Sequence, residues 1–120
     1  MALSEMTKRV MSKKNGTELP ELTSLQFLVI DIIGAHKMRG VEIREQLKGE
    51  HKINKTGPAF YQLMARLEES KFVEGWYEQE VIDGQIIKQR CYRVTGLGER
   101  ARRDTLQFYS QFAEGRAAYA

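Results

Sequence analysis

Apolar residues recur at helical spacing through the first half of the chain. A first stripe follows Thr23 and Ser24, either of which can cap a helix by accepting a hydrogen bond from a free amide. A third stripe follows Asn54 and Thr56, which are also capping residues, with Pro58 early enough that its missing amide costs little. The pattern predicts three helices with the apolar positions Leu22, Leu25, Leu28, Val29, Ile32 and Ile33, then Val41, Ile43 and Leu47, then Phe60, Leu63, Met64 and Leu67.

The pattern then changes from helical spacing to strand-like composition. Residues 73–94 form two runs rich in strand-favouring side chains, separated at Asp83-Gly84, a pair that supplies the positive φ angles of tight hairpin turns. A helix over residues 57–70 followed directly by a two-stranded hairpin is the layout of a winged helix-turn-helix. The predicted fold class is therefore α+β, mainly α, with a two-stranded wing and a long C-terminal helix.

A last helix is predicted over residues 97–117, capped by Thr95. At 1.5 Å per residue, some 20 residues reach roughly 30 Å, about the width of a small domain. Part of this helix is therefore expected to lack a partner within its own chain and to serve in dimerisation. The residues predicted for that role are Leu97, Ala101, Leu106, Phe108, Tyr109 and Phe112.

The length and composition support one globular domain with attached segments. The chain has 120 residues, 42% of them hydrophobic, which allows a modest core. The winged helix is assigned to residues 22–95 and the dimerisation helix to residues 96–120. Residues 1–21 are polar and basic, and they are interpreted either as a flexible tail or as a basic arm that follows DNA or orders against a partner subunit.

Charge is distributed unevenly along the chain. The net charge of +3 is weak evidence for a polyanionic partner. Residues 72–83 carry four acidic side chains and no basic one, whereas residues 84–103 carry six basic side chains and one acid. The basic charge is therefore concentrated on the returning strand of the hairpin and in the segment that follows it.

The third predicted helix has a small, polar face opposite its apolar stripe. Gln62 lies at its centre, and glutamine can hydrogen-bond adenine edges, while Arg66 can pair with guanine or phosphate. Lys88, on the returning strand of the hairpin, can bind phosphates beside the DNA groove that the helix occupies. An ordinary solvent-exposed face remains the alternative interpretation. The residues predicted to bind double-stranded DNA are Lys55, Thr56, Tyr61, Gln62, Ala65, Arg66, Lys88 and Arg90.

Several positions in this part of the chain resemble the PadR family of bacterial transcriptional regulators. The matching positions are Phe60, Tyr61, Arg66, Leu67, Glu68, Tyr92, Val94, Thr95 and Gly98. The resemblance covers roughly residues 22–115, and the chain departs from the family pattern at Pro58, Ala59 and Gln62. It implies a homodimer held by the C-terminal helix, which represses nearby genes and is released by an effector. A winged-helix protein-interaction module or adaptor, without DNA binding, is kept as the alternative function.

Catalysis has little support in the sequence. His36 and His51 lie in predicted linkers without partners at metal-ligand spacing, and no glycine-rich phosphate loop follows a strand. Neither a metal nor another cofactor is expected. Trp76 is interpreted as a core residue, or as part of a pocket for a small aromatic or apolar effector at the dimer interface with Phe108, Tyr109 and Phe112.

The expected location is the cytoplasm. Cys91 is the only cysteine, which excludes an internal disulfide and suits a reducing compartment. A packed strand cysteine is favoured over an oxidant-sensing thiol. The sequence shows no apolar run of signal-peptide length at its start and nothing near the roughly 20 apolar residues that span a bilayer, so no membrane partner is expected.

Overall fold

The fold is a small helical domain that carries a protruding β-hairpin. The computed structural model describes residues 19–119, with side chains as far as Ala113, so most of the predicted N-terminal segment lies outside the described residues. The described part contains four helices and a three-stranded antiparallel sheet, which confirms the predicted winged-helix fold. The elements are α1 (Ser24–Ile33), β1 (Met38–Arg39), α2 (Gly40–Glu50), α3 (Gly57–Glu69), β2 (Val73–Ile82), β3 (Gln85–Val94) and α4 (Gly96–Tyr119).

The first and third helices begin at side-chain caps. The Thr23 hydroxyl accepts a hydrogen bond from the Gln26 amide at 3.1 Å, and the Gln26 side chain accepts one from the Thr23 amide at 2.9 Å. This reciprocal capping box satisfies two amides that the helix itself cannot. The Thr56 hydroxyl likewise accepts from the Ala59 amide at 3.3 Å at the start of α3. Of the two residues predicted as possible caps at each helix, Thr23 and Thr56 are the ones used.

The sheet contains one strand more than the sequence indicates. The strand order is β1-β3-β2, and Met38 and Arg39 of β1 pair with Tyr92 and Cys91 of β3. Residues 36–39 were expected to be a plain linker, because two residues are too few to produce a periodic pattern. The short strand broadens the base of the hairpin from two strands to three.

The hairpin turn has the predicted geometry. Asp83 has φ 51° and Gly84 has φ 77°, so both central residues adopt the left-handed conformation of a tight turn that matches strand twist. The paired residues then run without interruption from Ile82 and Gln85 at the tip to Val73 and Val94 at the base. The wing is therefore a continuous two-stranded ribbon beyond β1.

One hydrophobic core joins the helices to the base of the sheet. Its fully enclosed side chains come from α1, α2 and α3, and the start of β2 and end of β3 close it. Ala101 of α4 belongs to this core and is only 8% exposed, so the structure places it against its own chain rather than on a surface for a second copy. The buried members are Leu22, Val29, Ile30, Ile33, Ile43, Leu47, Phe60, Met64, Leu67, Phe72, Val73, Tyr92 and Ala101.

The wing and α4 are joined by a compact set of backbone contacts. The Thr95 amide donates to the Phe72 carbonyl at 3.0 Å, and the Thr95 hydroxyl donates to the Lys71 carbonyl at 2.6 Å. The same hydroxyl accepts from the Gly98 amide at 3.0 Å and so caps α4. A Cβ atom on Gly98 would lie 2.1 Å from the Phe72 carbonyl oxygen. The threonine and glycine of this segment are thus both required by the close approach of α4 to the chain after α3.

We predict that Gly98→Ala lowers the free energy of unfolding by about 2 kcal/mol, because the added methyl group meets backbone atoms that cannot move aside cheaply. Urea unfolding at fixed protein concentration measures the effect. Gly96→Ala is the matched control: nothing lies within 4 Å of its added methyl group, so a change within about 0.5 kcal/mol is expected. Equal stability of the two variants would contradict the close-approach argument.

Candidate nucleic-acid interface

The third helix separates its side chains into a buried and an exposed face. Phe60 and Met64 are completely buried, whereas Gln62, Ala65 and Arg66 are exposed, as the apolar spacing predicts. The exposed face offers a hydrogen-bonding amide, a small residue that permits close approach, and a cation. These are the side-chain types that suit contact with base edges in a major groove.

The start of α3 is fixed by a residue that the sequence did not single out. The Arg44 side chain of α2 donates from Nε to the Lys55 carbonyl oxygen at 2.9 Å. The Arg44 Nη1 atom also lies 3.7 Å from the position that a Cβ on Gly57 would take. Arg44 therefore ties the turn between the two helices to α2. The Lys55 and Thr56 side chains sit at this end of α3, where Thr56 is occupied as the helix cap.

Tyr61 lies between α3 and the sheet. Its ring packs edge-to-face on Phe60 at a centroid distance of 5.1 Å, and a Cβ on Gly40 would lie 3.0 Å from its hydroxyl oxygen. The side chain nevertheless remains 39% exposed. Together with Ala65 and with Lys88 of the wing, it lines an open cleft of about 560 Å³ between the helix and the hairpin. Residues predicted separately from helix and strand patterns therefore meet at one surface.

Glu78 and Glu80 lie on the face of the wing opposite to Lys88 and Arg90. Successive strand residues point to opposite sides, and Glu78 is paired across the ribbon with Gln89, the neighbour of Lys88. Glu78 binds Lys37 at 2.8 Å, and the hydrogen bond and charge of that lysine hold the pKa of the carboxyl below its usual range. Glu80 similarly lies 3.4 Å from Arg39. The acidic strand thus turns its charges away from α3 and towards cations near β1.

Lys88 and Arg90 share the face that points to α3, but their surroundings differ. Lys88 is exposed, and among the residues that the structure describes it has no acidic partner. Arg90 donates from Nη2 to the Glu68 carboxylate at 2.6 Å, and its guanidinium lies 4.7 Å from the Tyr77 ring centre and 5.7 Å from that of Tyr92. The alternation of strand faces explains why Arg90 lies beside Lys88, but no sequence pattern indicates that Glu68 is its partner.

Gly75 makes the contact between α3 and the wing possible. A Cβ atom at this position would lie 1.7 Å from the Glu68 Oε1 atom and 2.8 Å from the Arg90 Nη2 atom. Glycine inside a strand often marks such a close approach. That signal was present in the sequence, although the helix residue that approaches could not be named from it.

The remaining candidate groups are occupied in structural contacts. Cys91 is 2% exposed, and burial raises the pKa of its thiol, which favours the packed-cysteine interpretation over a reactive thiolate. The Trp76 indole donates to Glu78 at 2.8 Å, and Arg93 lies 5.6 Å from the indole ring centre. Among the side chains that the structure describes, up to Ala113, no group of three or more metal-ligating residues comes together, and no described helix is long and apolar enough to cross a membrane.

The outer part of α4 exposes apolar side chains. The helix face that buries Ala101 and Thr105 continues towards Phe108 and Phe112, and Phe112 is 59% exposed. Phe108 is partly buried and packs on the rings of Tyr109 and Phe112, each at a centroid distance of 5.2 Å. Four of the six residues predicted for dimerisation are exposed in this chain, namely Leu97, Leu106, Tyr109 and Phe112.

Comparison with solved structures supports the fold, whereas comparison with family models and curated sequences finds no match. A PadR-family transcription regulator from Clostridium difficile is 18% identical, with 81% of this chain and 98% of that chain covered and a TM-score of 0.66. One from Eggerthella lenta is 21% identical, with 99% and 96% covered and a TM-score of 0.63.

A third solved structure contains nucleic acid. It is PadR of Bacillus subtilis in complex with operator DNA, which is 18% identical to this chain and superposes with a TM-score of 0.59. The match covers 69% of this chain and 46% of that protein, so this chain spans less than half of its length. At these identities the likenesses show a common fold, and they confirm the winged helix that the sequence predicts.

We predict that Tyr92 makes stability fall at alkaline pH. Burial raises the pKa of its phenol from 10.0 to about 12, so its contribution is complete below pH 10 and is lost as pH rises towards 12. In that interval the unfolded chain loses a proton that the native chain keeps, which costs about 1.4 kcal/mol per pH unit. Urea unfolding from pH 9 to 11.5 should therefore show a shallower pH dependence for Tyr92→Phe.

Tyr77→Phe is the control for this prediction, since Tyr77 is 65% exposed. Its unfolding free energy should follow that of the wild type over the same pH range. The same slope for Tyr92→Phe and Tyr77→Phe would refute the assignment to Tyr92.

Proposed function

We propose that this chain is a PadR-family transcriptional repressor that binds specific DNA sequences as a homodimer. The observation that carries the proposal is the joint surface of α3 and the wing, where an exposed helix face and the exposed Lys88 border one cleft while Glu78 and Glu80 of the wing point the other way. The structure of Bacillus subtilis PadR with operator DNA, which has the same fold, supports this role. Such a regulator would act in the cytoplasm.

The proposed complex places α3 in the major groove and the wing on the DNA backbone. Gln62 would read adenine edges, Arg66 would bind guanine or phosphate, and Ala65 would allow the helix to come close to the bases. Lys88 would bind a phosphate from the wing. Tyr61 lines the cleft, and Lys55 and Thr56 lie at the start of α3; all three would contribute to backbone contacts.

Dimerisation would be provided by the outer half of α4. Leu106, Tyr109 and Phe112 are about half exposed, which is a large apolar area for a helix of a small protein to leave in water. Pairing with the same helix of a second copy would cover it and would set two recognition helices about one helical turn of DNA apart. A small aromatic or apolar effector that releases the dimer from DNA also remains a prediction.

Selection of genomic fragments with the purified protein, at near-physiological salt, tests DNA binding and identifies the operator together. The alternative function, an interaction module or adaptor, has a different outcome: no duplex would be enriched, and a protein partner would be captured instead. Enrichment of fragments that share no sequence would support backbone binding only and would contradict specific recognition.

With an operator identified, we predict that Lys88→Ala weakens binding and reduces the dependence on salt. Each phosphate that the protein neutralises contributes about 0.9 to the slope of log affinity against log salt, so the loss of one contact should lower the slope by about that amount. Arg93→Ala is the matched control, because Arg93 lies on the opposite face of β3. Electrophoretic mobility shifts over a salt series measure both variants, and equal slopes would count against the proposed wing contact.

We predict that Phe112→Asp converts the dimer to a monomer, because it places a charge on the exposed apolar face of α4. Light scattering measures the molar mass. Gln111→Asp introduces the same charge at the exposed neighbouring position and should remain dimeric. A dimer that survives Phe112→Asp would show that the interface lies elsewhere.

A further inference from the structure

Beyond the hydrophobic core at its base, the wing is joined to α3 by an ion pair. Among the described residues, Glu68 and Arg90 form the only salt bridge that joins α3 to β3, with Nη2 and Oε1 2.6 Å apart. Both side chains are about three-quarters buried, at 25% and 28% exposure. A charge-assisted hydrogen bond of this length between largely buried side chains is stronger than a fully exposed surface pair, and it has a defined direction.

The surroundings of Arg90 hold its guanidinium in place. The Tyr77 ring lies across the ribbon from Arg90 and is stacked against it, and the Tyr92 ring lies on the same strand face. Gly75 leaves the space in which the Glu68 carboxylate reaches the guanidinium. The bridge also forms a wall shared by the cleft that contains Tyr61 and a second open cleft at the base of the wing. The rings of Tyr77 and Tyr92, the space left by Gly75 and the Glu68 carboxylate therefore favour the same orientation of the Arg90 guanidinium.

We propose that Arg90 is a positioning residue that fixes the wing relative to the recognition helix through Glu68, and that it does not bind phosphate itself. The inference rests on the proposed function, since it concerns how two DNA-contacting elements are held in register. The positive charge of Arg90 is matched by a carboxylate, whereas Lys88 lies two residues along the same strand face without an acidic partner in the described part of the chain. Lys88 is thus the residue of this face that remains available for phosphate.

The rival possibility is that Arg90 leaves Glu68 and binds phosphate when DNA arrives. The two roles make opposite predictions for Glu68→Gln. If Arg90 binds phosphate, removal of a competing negative charge beside the DNA strengthens binding. If Arg90 positions the wing, loss of the bridge lets the wing move, and binding weakens by roughly 5- to 20-fold, the range expected for one charge-assisted contact.

The experiment uses the full chain and the selected operator. Glu68→Gln, Arg90→Lys and Gly75→Ala are compared with the wild type by mobility shift over a salt series. The positioning role predicts weaker binding of all three with an unchanged salt slope, because no phosphate contact is lost. Arg90→Lys keeps the positive charge but loses the planar guanidinium with its several donors. Gly75→Ala keeps the charges of Glu68 and Arg90, but its added methyl group pushes the two side chains apart. Lys88→Ala provides the reference for a lost phosphate contact.

Hydroxyl-radical footprinting separates positioning from a general loss of folding. In the bridge variants, protection of the backbone beside the wing should shift or disappear while protection over the recognition helix remains. A merely structural defect would reduce both regions together and would overturn the proposal. Tighter or unchanged binding by Glu68→Gln would overturn it too. If the wild type binds no duplex, the proposed function fails and the positioning role fails with it; wild-type binding with an unaffected Glu68→Gln removes the positioning role alone.

Discussion

Burial of one face of α3 is the constraint on which the rest of the structure depends. Phe60, Met64 and Leu67 are completely enclosed by α1, α2 and the base of the sheet, so the helix can neither rotate nor slide without opening the core. Because its side chains repeat every 3.6 residues, fixing this face also fixes which residues point outwards. Gln62 and Arg66 are therefore held towards solvent by packing, not by contacts of their own.

The alternation of strand residues keeps Glu78 and Glu80 of the wing away from the face that carries Lys88. A hairpin with several carboxylates would repel a polyanion if both faces were alike. Here Glu78 and Glu80 share one face with Lys37 and Arg39 within reach, while Lys88 occupies the other. The two-residue strand β1 is what brings those compensating cations alongside the sheet. A segment that looks like a linker in the sequence therefore neutralises negative charge on the wing face that is turned away from α3.

The sequence predicted what depends on local pattern and missed what depends on distant pairing. The capping threonines, the Asp83-Gly84 turn and the buried stripe of α3 all follow from neighbouring residues, and the structure confirms them. The strand β1 is too short to leave a period, and the partner of Arg90 lies 22 positions away on another element. Ala101 fits an apolar helix face, but periodicity cannot tell whether the chain itself or a second copy covers that face.

The wing is three-stranded at its base and two-stranded at its tip, so we expect the base to resist bending more than the tip. β1 pairs only beside Tyr92 and Cys91, so the sheet narrows to two strands towards the turn, where Val81 and Ile86 are 73% and 70% exposed. A two-stranded ribbon in water is marginally stable and twists readily, whereas three strands packed on helices resist bending. In the proposed complex, the three-stranded base and the Glu68–Arg90 bridge would together hold the wing at a set angle to the recognition helix, while the tip could follow a DNA backbone whose path varies from one site to the next.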